Sequence, residues 1–543
     1  MHMTKPPTIG ISWRCLFLLL ATLWLPCTLL TAASKPNVIV IFTDDHGYAD
    51  LSCQGILDDV KTPHIDSLAT GGVRCTSGYV TAPQCVPSRG GLLIGRYQNR
   101  FGLESNGDDL SGFNAQRTIA ERLKVAGYAT GMIGKWHLGP PNEITEHGFD
   151  DVFYKNSNRE GWANYDLEGR DVEAGLEKSH LYHLDACSGA ARAFIKRHHK
   201  EPFFLYLAYR APHVPLDATD EYLRRFPGPM PERRRKALAM LSAVDDGVGE
   251  ILTSLQKYAI EDNTLIFFIG DNGAPLKIHK QDAPGIGAGW DGSLNDPLNG
   301  EKGTVIEGGN RVPFLVYWKG RIPGAQVYDH PIISLDVAAT AVALADMKRD
   351  PRLDGVNLVP YLTGENKGEP HEALFWRWTG QAAVRQGRWK YIQGGARRYL
   401  FDLEVDIAEK HNLITKHPDM AARLAGRLQR WSQGLNPPGL DQPLGQAGNR
   451  YFDYYLDGKQ ASHPKFPGPK RGTRQTTSGQ GKRPTGSALL RKRDQDRDGR
   501  LTLKEYVGNP AGRNVPALTR QFKARDTDDN GFLTLSELEM GRK

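Results

Sequence analysis

Short apolar runs alternate with longer amphipathic segments along the first two-thirds of this chain. Three runs rich in Val, Ile and Phe predict buried strands, NVIVIF (37–42), FFLYLAY (203–209) and TLIFFIG (264–270). The segments QRTIAERLKVAG (116–127) and RRKALAMLSAVDDGVGEILTSLQKY (234–258) have helical spacing. This alternation is typical of an α/β domain with a mostly parallel sheet flanked by helices.

Polar residues follow each of the three predicted strands. In open α/β sheets the carboxyl ends of the strands line the ligand crevice. We therefore expect these side chains to converge, namely Asp44, Asp45, His213, Asp271 and Asn272. The three carboxylates and the amide offer only oxygen ligands, which suit a hard cation such as Ca²⁺ or Mg²⁺.

The beginning of the chain predicts export. Lys5 and Arg14 precede an apolar run from Cys15 to Leu30 that small residues follow, which predicts a signal peptide over residues 1–33. The run is too short for a membrane-spanning helix, and Pro26 interrupts it, so no transmembrane span is predicted. The four remaining cysteines are too few for a disulfide scaffold. We expect a secreted or periplasmic protein.

The net charge of +7 is concentrated in one segment. Between Pro464 and Arg493 there are nine Lys and Arg and no Asp or Glu, which leaves about −2 for all other residues. This distribution argues against a nucleic-acid partner for the main body. The same segment is rich in Pro, Gly, Ser and Thr, and a flexible linker is predicted over residues 436–488.

Two acidic loops near the C-terminus predict an EF-hand pair over residues 489–543. The segments DQDRDGRLTLKE (494–505) and DTDDNGFLTLSE (526–537) both fit the twelve-residue loop, with glycine at position six. In each loop the residue at position seven would ligate through its carbonyl. The predicted ligands of the two Ca²⁺ ions are Asp494, Asp496, Asp498, Arg500, Thr502, Glu505, Asp526, Asp528, Asn530, Phe532, Thr534 and Glu537. A constitutively loaded structural or anchoring module is favoured over a sensor.

A cysteine motif carries the catalytic prediction. The segment CVPSRGGLLIGR (85–96) places Cys85 two residues before a proline and four before Arg89. Together with FTDDHG, GKWHLG, APHVP, IGDNG and EKGTVIEGGNRVP, it resembles the signature of the type I sulfatases of the alkaline phosphatase superfamily. The resemblance runs from about Pro36 to about Trp431. It implies an alkaline-phosphatase-like catalytic domain over 34–370 and a small antiparallel subdomain over 371–435.

The resemblance implies that Cys85 is the precursor of the nucleophile. In that family a maturation enzyme reads Cys-x-Pro-x-Arg and oxidises the cysteine to formylglycine, and the hydrated aldehyde attacks sulfur. The implied ligands of a catalytic Ca²⁺ are Asp44, Asp45, Asp271, Asn272 and residue 85.

The remaining motif residues receive roles from the same resemblance. Arg89 would hold the nucleophile in place, and Lys135 and Lys302 would face the sulfate oxygens. His213, with Lys302, would protonate the leaving oxygen, and His137 would take the proton whose removal expels sulfate.

The predicted activity is hydrolysis of sulfate esters, with a sulfated carbohydrate as the expected substrate and an aryl sulfate as a further possibility. Two alternatives remain open at this point. One is a phosphate or phosphonate monoester hydrolase of the same superfamily. The other is a non-catalytic, Ca²⁺-dependent protein that binds sulfated glycans, which would apply if Cys85 stays unconverted.

Overall fold

The computed structural model describes residues 2–4, 35–177, 179–278 and 292–460, and in the C-terminal part residues 500–503, 506, 519, 522–523, 526 and 532–534. The chain divides into two units, one that ends at residue 463 and one that begins at residue 464. Residues 5–33 of the predicted signal peptide and residues 461–488 of the predicted linker fall outside the described residues. No helix in the described ranges has both the length and the apolarity that crossing a bilayer requires.

The first unit contains both strands and α-helices. Its strands are β1 (Asn37–Asp44), β2 (Val73–Cys75), β3 (Gly78–Tyr79), β4 (Ala129–Gly134), β5 (Asp151–Tyr154), β6 (Gly161–Tyr165), β7 (Asp171–Glu177), β8 (Phe203–Pro212), β9 (Thr264–Gly270), β10 (Phe314–Tyr317), β11 (Gln326–Tyr328), β12 (Ile332–Ile333), β13 (Leu374–Trp378), β14 (Gln381–Gln386), β15 (Trp389–Gly394) and β16 (Arg397–Asp402). Its α-helices are α1 (Pro63–Thr70), α2 (Cys85–Ile94), α3 (Ser111–Asn114), α4 (Ile119–Val125), α5 (His183–His198), α6 (Asp220–Leu223), α7 (Glu232–Lys257), α8 (Glu307–Asn310), α9 (Asp336–Leu344), α10 (Val359–Leu362), α11 (Pro418–Ser432) and α12 (Gln446–Tyr455).

A ten-stranded sheet forms the centre of this unit, in the order β11-β2-β10-β9-β1-β8-β4-β5-β6-β7. The five central strands, from β9 to β5, are parallel. Towards the edges, β10 is antiparallel to β9, and β6 is antiparallel to both β5 and β7. The mostly parallel α/β sheet is therefore confirmed, while its antiparallel edges have no counterpart in the predicted pattern.

Strand β1 lies at the centre of the sheet and is buried along its whole length. Val38, Val40 and Phe42 pack into one apolar layer that contains residues of α2, α4 and α9. Ile39 and Ile41 pack into the opposite layer, with residues of α5 and α7. A strand covered by helices on both faces needs apolar side chains at every position, which is why NVIVIF shows no alternation.

The strand register brings several carboxyl ends to one edge of the sheet. Phe42 of β1 pairs with Ala208 of β8 and with Ile269 of β9. Ala208 also pairs with Gly134, the last residue of β4. The segments that follow these four strands therefore emerge side by side.

The strands β13 to β16 form a separate four-stranded antiparallel sheet. Helix α11 packs on one face of it through Leu424 and Leu428. The other face packs against the main body, where Trp376 and Ile392 share an apolar cluster with Tyr79. The small antiparallel sheet inferred from the sequence is thus present, and it is buried on both faces.

The predicted start of the flexible linker at residue 436 is wrong. Helix α12 lies within the predicted linker, and its Phe452 is fully buried in the cluster that joins the small sheet to the main body. The Tyr455 carbonyl accepts a hydrogen bond of 2.7 Å from Asn299. The Pro and Gly residues around α12 predicted a linker, although Tyr451 and Phe452 of this helix are buried in the core.

In the second unit, β17 (Leu501–Thr502) pairs with β18 (Phe532–Leu533) in antiparallel fashion, with Leu501 opposite Leu533. Both leucines are fully buried, and they form a small apolar cluster with Tyr506 and Phe522. Most predicted calcium ligands fall outside the described residues, namely Asp494, Asp496, Asp498, Glu505, Asp528, Asn530 and Glu537.

Candidate active site

The ends of β1 and β9 bring three carboxylates together. Asp44 closes β1, and Asp45 follows it with a positive φ of 57°, a conformation that Asp tolerates better than most residues. The Asp45 amide donates to Asp271 Oδ1 at 3.0 Å, and Asn272 Nδ2 donates to Asp45 Oδ1 at 2.6 Å. All four side chains are buried. The convergence predicted for the strand ends is therefore present.

Cys85 lies at the first position of α2 and is fully buried. Its Sγ lies 3.4 Å from Asp44 Oδ1. One helical turn later, Arg89 donates to Asp271 Oδ2 from Nη2 at 2.7 Å and from Nε at 3.2 Å. Arg89 also donates to the Lys135 carbonyl and to the Tyr206 hydroxyl, so its guanidinium is held on several sides.

Two lysines contact the aspartates that follow β1. Lys135, directly after β4, places Nζ 2.6 Å from Asp44 Oδ2. Lys302 places Nζ 2.8 Å from Asp45 Oδ1. The Lys302 amide donates to the Ala274 carbonyl, so the glycine-rich loop that carries it is attached to the segment after β9.

His213 completes the cluster from the end of β8. Its Nδ1 lies 2.6 Å from the Val214 carbonyl, which can only accept, so Nδ1 carries the hydrogen. Nε2 lies 3.5 Å from Asp45 Oδ2. Burial lowers the pKa of His213, which favours the neutral ring. A substrate anion bound beside it would raise that pKa and favour the protonated form that a general acid requires.

His137 differs from the other predicted catalytic residues because it is exposed. Its φ is 64°, in the left-handed region. Surrounding protein atoms, followed by Lys135 and Arg89, lower its pKa to about 3. The ring is therefore neutral at neutral pH.

The charges of the cluster shift the pKa values of its acids in opposite directions. Burial opposes ionisation of Asp44, but the charges of Lys135, Arg89 and Lys302 outweigh it and hold the Asp44 pKa well below its usual range. Burial and the neighbouring Asp44 raise the pKa of Asp271 to about 7. Three aspartates in contact therefore need further positive charge if all are to be ionised at neutral pH.

The donor set fits a hard divalent cation. Asp44, Asp45, Cys85 and His213 each offer a ligand atom within 4.8 Å of the others. Asn272 Oδ1 is buried without a hydrogen-bond partner among the described atoms, although its amide nitrogen is bonded. An unpaired acceptor beside carboxylates is what a cation would satisfy. The oxygens of Asp44, Asp45 and Asn272 suit Ca²⁺ or Mg²⁺, whereas the Cys85 thiol and the His213 ring are softer donors.

One residue beside this cluster has no role in the sequence prediction. The Glu301 carboxylate accepts from the Ile278 amide at 2.7 Å and from the Tyr455 hydroxyl at 3.0 Å. It thereby connects the Lys302 loop, the segment after β9 and helix α12. The sequence could have indicated Glu301, because it lies next to Lys302 in EKGTVIEGGN. No sequence pattern indicated Tyr455.

Comparison with known proteins assigns this chain to a family. The sequence profile of the Sulfatase family matches residues 36–347, more than half of the chain. The chain belongs to the sulfatase family. Human N-acetylgalactosamine-6-sulfatase is 32% identical over 407 residues, covering 66% of this chain and 74% of the human protein. N-acetylgalactosamine-6-O-sulfatase of Bacteroides thetaiotaomicron is 29% identical over 492 residues, covering 73% of this chain and 93% of the bacterial one.

A solved structure agrees with the fold. The crystal structure of Ps i-CgsB in complex with k-i-k-neocarrahexaose has a TM-score of 0.65 and 31% identity, and it covers 80% of this chain and 99% of that one. This sulfatase is thus a sulfuric ester hydrolase. The predicted enzyme class is confirmed.

Proposed function

We propose that this sulfatase hydrolyses sulfate esters of carbohydrates, with residue 85 as nucleophile after a maturation enzyme has converted Cys85 to formylglycine. The observation that carries the proposal is the place of Cys85. Its thiol is fully buried and lies 3.4 Å from Asp44, inside a cluster that contains Arg89, Lys135 and Lys302. A negatively charged sulfate would meet three cations there.

The electrostatics of the thiol argue against unmodified cysteine as the nucleophile. Burial and the nearby Asp271 raise the pKa of Cys85 well above its usual range. Since the thiolate is the reactive form of cysteine, the unmodified side chain is a weak nucleophile in this position. A hydrated aldehyde offers a hydroxyl for attack and a second hydroxyl from which sulfate can later be expelled.

Asp44, Asp45, Asp271 and Asn272 are the residues that would hold a catalytic Ca²⁺. When bound, the ion would supply positive charge to the sulfate and lower the pKa of a hydroxyl on residue 85. The unpaired Asn272 Oδ1 supports this assignment. Lys135 and Lys302, which pair with the aspartates, would carry their charge to the sulfate oxygens, and Arg89 would hold residue 85 in position.

The relatives support a carbohydrate substrate. Two of them are named for sulfate esters of N-acetylgalactosamine, and a third was crystallised with an oligosaccharide. The direct test is turnover of sulfated N-acetylgalactosamine saccharides, 4-nitrophenyl sulfate and 4-nitrophenyl phosphate by protein produced together with a maturation enzyme. Sulfate esters should be cleaved faster than the phosphate ester. Preference for the phosphate would favour the phosphohydrolase alternative, and no turnover at all would favour a glycan-binding protein.

Replacing His213 with alanine should slow the hydrolysis of an ester more when its leaving group is more basic. A saccharide alkoxide needs a proton as it leaves, whereas nitrophenolate does not. We expect His213→Ala to lower kcat/KM for a saccharide sulfate by about 10²- to 10⁴-fold, and for 4-nitrophenyl sulfate far less. His137→Ala is the matched comparison, since loss of a proton transfer after ester cleavage should lower kcat and trap sulfate on residue 85, while kcat/KM for both esters changes little. Equal losses for His213→Ala on both esters would contradict its role as general acid.

We also propose that the C-terminal unit is an EF-hand pair and that residues 1–33 direct export. Counting from Asp494 and Asp526, Leu501 and Leu533 both occupy loop position eight, and they lie opposite each other. Such symmetric pairing supports two adjacent calcium loops. The module would bind two Ca²⁺ ions and anchor the enzyme without entering the reaction.

Two truncations separate the tail from the catalytic body. A chain that ends at residue 460 should keep the full-length rate on 4-nitrophenyl sulfate, because it retains α12 and lacks only the second unit. A chain that ends at residue 434 should lose stability and activity, because it lacks Phe452 and Tyr455, which support the Lys302 loop. Steady-state rates and thermal unfolding measure both outcomes. An inactive but folded 460-residue chain would place the tail in the active site.

A further inference from the structure

A group of buried polar atoms without hydrogen-bond partners lies close to the catalytic cluster. Within the described part of the chain, they are Asn156 Oδ1, Ser179 Oγ, Tyr182 OH and both ring nitrogens of His183. Buried polar groups in folded proteins nearly always have partners, because an unpaired one has lost its water without compensation. These four side chains therefore call for partners that the protein does not supply.

The strand register places this group at the catalytic edge of the sheet. Strand β5 runs parallel to β4, and the Lys155 amide donates to the Gly134 carbonyl. Asn156 therefore follows β5 next to the point where Lys135 follows β4. Lys155 Nζ donates to the Ser179 carbonyl at 3.1 Å, which brings the segment after β7 to the same place.

His183 connects the group to the start of α5. Its ring is 1% exposed and packs edge-on against Tyr182, with centroids 4.9 Å apart. Its amide donates to Asn158 Oδ1 at 3.0 Å. Burial, followed by the charges of Arg210 and Lys155, lowers its pKa to about 3, so the neutral ring has both a donor and an acceptor to offer.

Arg210 bonds the same carbonyl oxygen as the general acid, and its charge also acts on the His183 ring. Its Nη2 donates to the Val214 carbonyl, the same oxygen that accepts from His213 Nδ1. Arg210 is half-buried, and in the part of the chain that the structure describes it has no carboxylate partner. Its guanidinium thus lies on the side of His213 that faces away from Asp45, with unpaired N–H donors.

We propose that Arg210 and the side chains of Asn156, Ser179, Tyr182 and His183 form a second binding site, which takes an anionic group on the saccharide next to the sulfate that is cleaved. This inference rests on the proposed carbohydrate sulfatase function and deepens it. A guanidinium binds a sulfate or carboxylate through two parallel hydrogen bonds, and the neutral side chains can bond the adjoining sugar hydroxyls. The enzyme would accordingly prefer saccharides that carry two acidic groups.

The test compares Arg210→Ala with wild type on three substrates: a disaccharide with one sulfate, the same disaccharide with a second sulfate, and 4-nitrophenyl sulfate. We expect KM for the doubly sulfated disaccharide to rise about 10- to 100-fold, with a much smaller change in kcat, since a charge-assisted bond is lost. For the other two substrates, the rise in KM should be at least about tenfold smaller. Arg210→Lys should recover part of the loss. Arg192→Ala removes an exposed arginine that pairs with Glu250, and it should change none of these values.

A second variant separates binding from folding. His183→Phe removes two unpaired buried nitrogens at nearly constant shape, which should leave the melting temperature unchanged or raise it. If His183 bonds the saccharide, the variant should nevertheless raise KM for both disaccharides. Unchanged KM values for His183→Phe would mean that ordered water alone satisfies the ring, and they would overturn its place in the site.

Different results would contradict the proposed carbohydrate function and the second anion site. A wild-type enzyme that cleaves 4-nitrophenyl sulfate but no sulfated saccharide contradicts the carbohydrate function, and the second site with it. Wild-type activity on saccharides together with equal losses of Arg210→Ala on all three substrates would show that Arg210 only positions His213. That result would overturn the second anion site while leaving the proposed function intact.

Discussion

Replacing Cys85 with alanine is expected to abolish hydrolysis of every sulfate ester, a loss in kcat on the order of 10⁴- to 10⁶-fold. The side chain is fully buried at the start of α2, and removing one sulfur atom should cost the fold only about 1 kcal/mol. Arg89, Lys135 and Lys302 remain in place, and the variant should still bind a sulfated ligand. Initial rates and a titration with a sulfated saccharide measure the two properties separately.

Cys75→Ala is the matched control for this variant. Cys75 is also a free, fully buried cysteine, but it lies in β2, away from the aspartate cluster. Removing its thiol should cost about 1 kcal/mol of stability, as for other small core truncations, and leave the rate of the folded enzyme intact. Substantial turnover by purified Cys85→Ala would show that residue 85 is not the nucleophile.

Asp45→Asn should lower kcat/KM by on the order of 100- to 1,000-fold. Asp45 contacts Lys302, Asn272 and His213, and in the proposed site it also holds the cation. The amide keeps the shape of the side chain but removes one negative charge, so the affinity for Ca²⁺ falls. Metal analysis of the full chain should find about three Ca²⁺ per wild-type molecule and about two in the variant.

Asp245→Asn controls for the loss of a buried carboxylate. Asp245 lies in α7 and accepts from the Ile65 amide at 2.8 Å, a bond that asparagine can replace. Burial raises its pKa to about 6, so the group is still mostly ionised at neutral pH and the variant removes a buried charge, as Asp45→Asn does. Its activity and Ca²⁺ content should match wild type. Unaltered Ca²⁺ content in Asp45→Asn would remove Asp45 from the metal site.

The parts of the site that the sequence could predict are those attached to strand ends. Asp44, Asp45, Asp271 and Asn272 follow runs whose burial and parallel pairing are visible as continuous apolar residues. Because such strands end at one edge of the sheet, their convergence follows from topology alone. The motif resemblance then placed Cys85 and Lys302, which lie in a helix start and a loop that periodicity does not position.

Other features depend on tertiary contacts that no local pattern records. The aromatic residues Tyr451 and Phe452 lie among Gly, Pro and Gln, so their segment was interpreted as linker although Phe452 is fully buried. No sequence pattern singles out Asn156, Ser179, Tyr182 and His183, and only the three-dimensional structure reveals that polar atoms of these four side chains are buried. Burial of polar groups at a distance from any motif cannot be inferred from one sequence.

The mass of the peptide that contains residue 85 tests the central claim most directly. Conversion of cysteine to formylglycine replaces the thiol by an aldehyde oxygen, which lowers the mass by about 18 units. We predict this shift in active enzyme, together with capture of the aldehyde by a hydrazide reagent and activity that rises with the converted fraction. Full sulfatase activity in protein whose residue 85 is entirely unmodified cysteine would contradict the account.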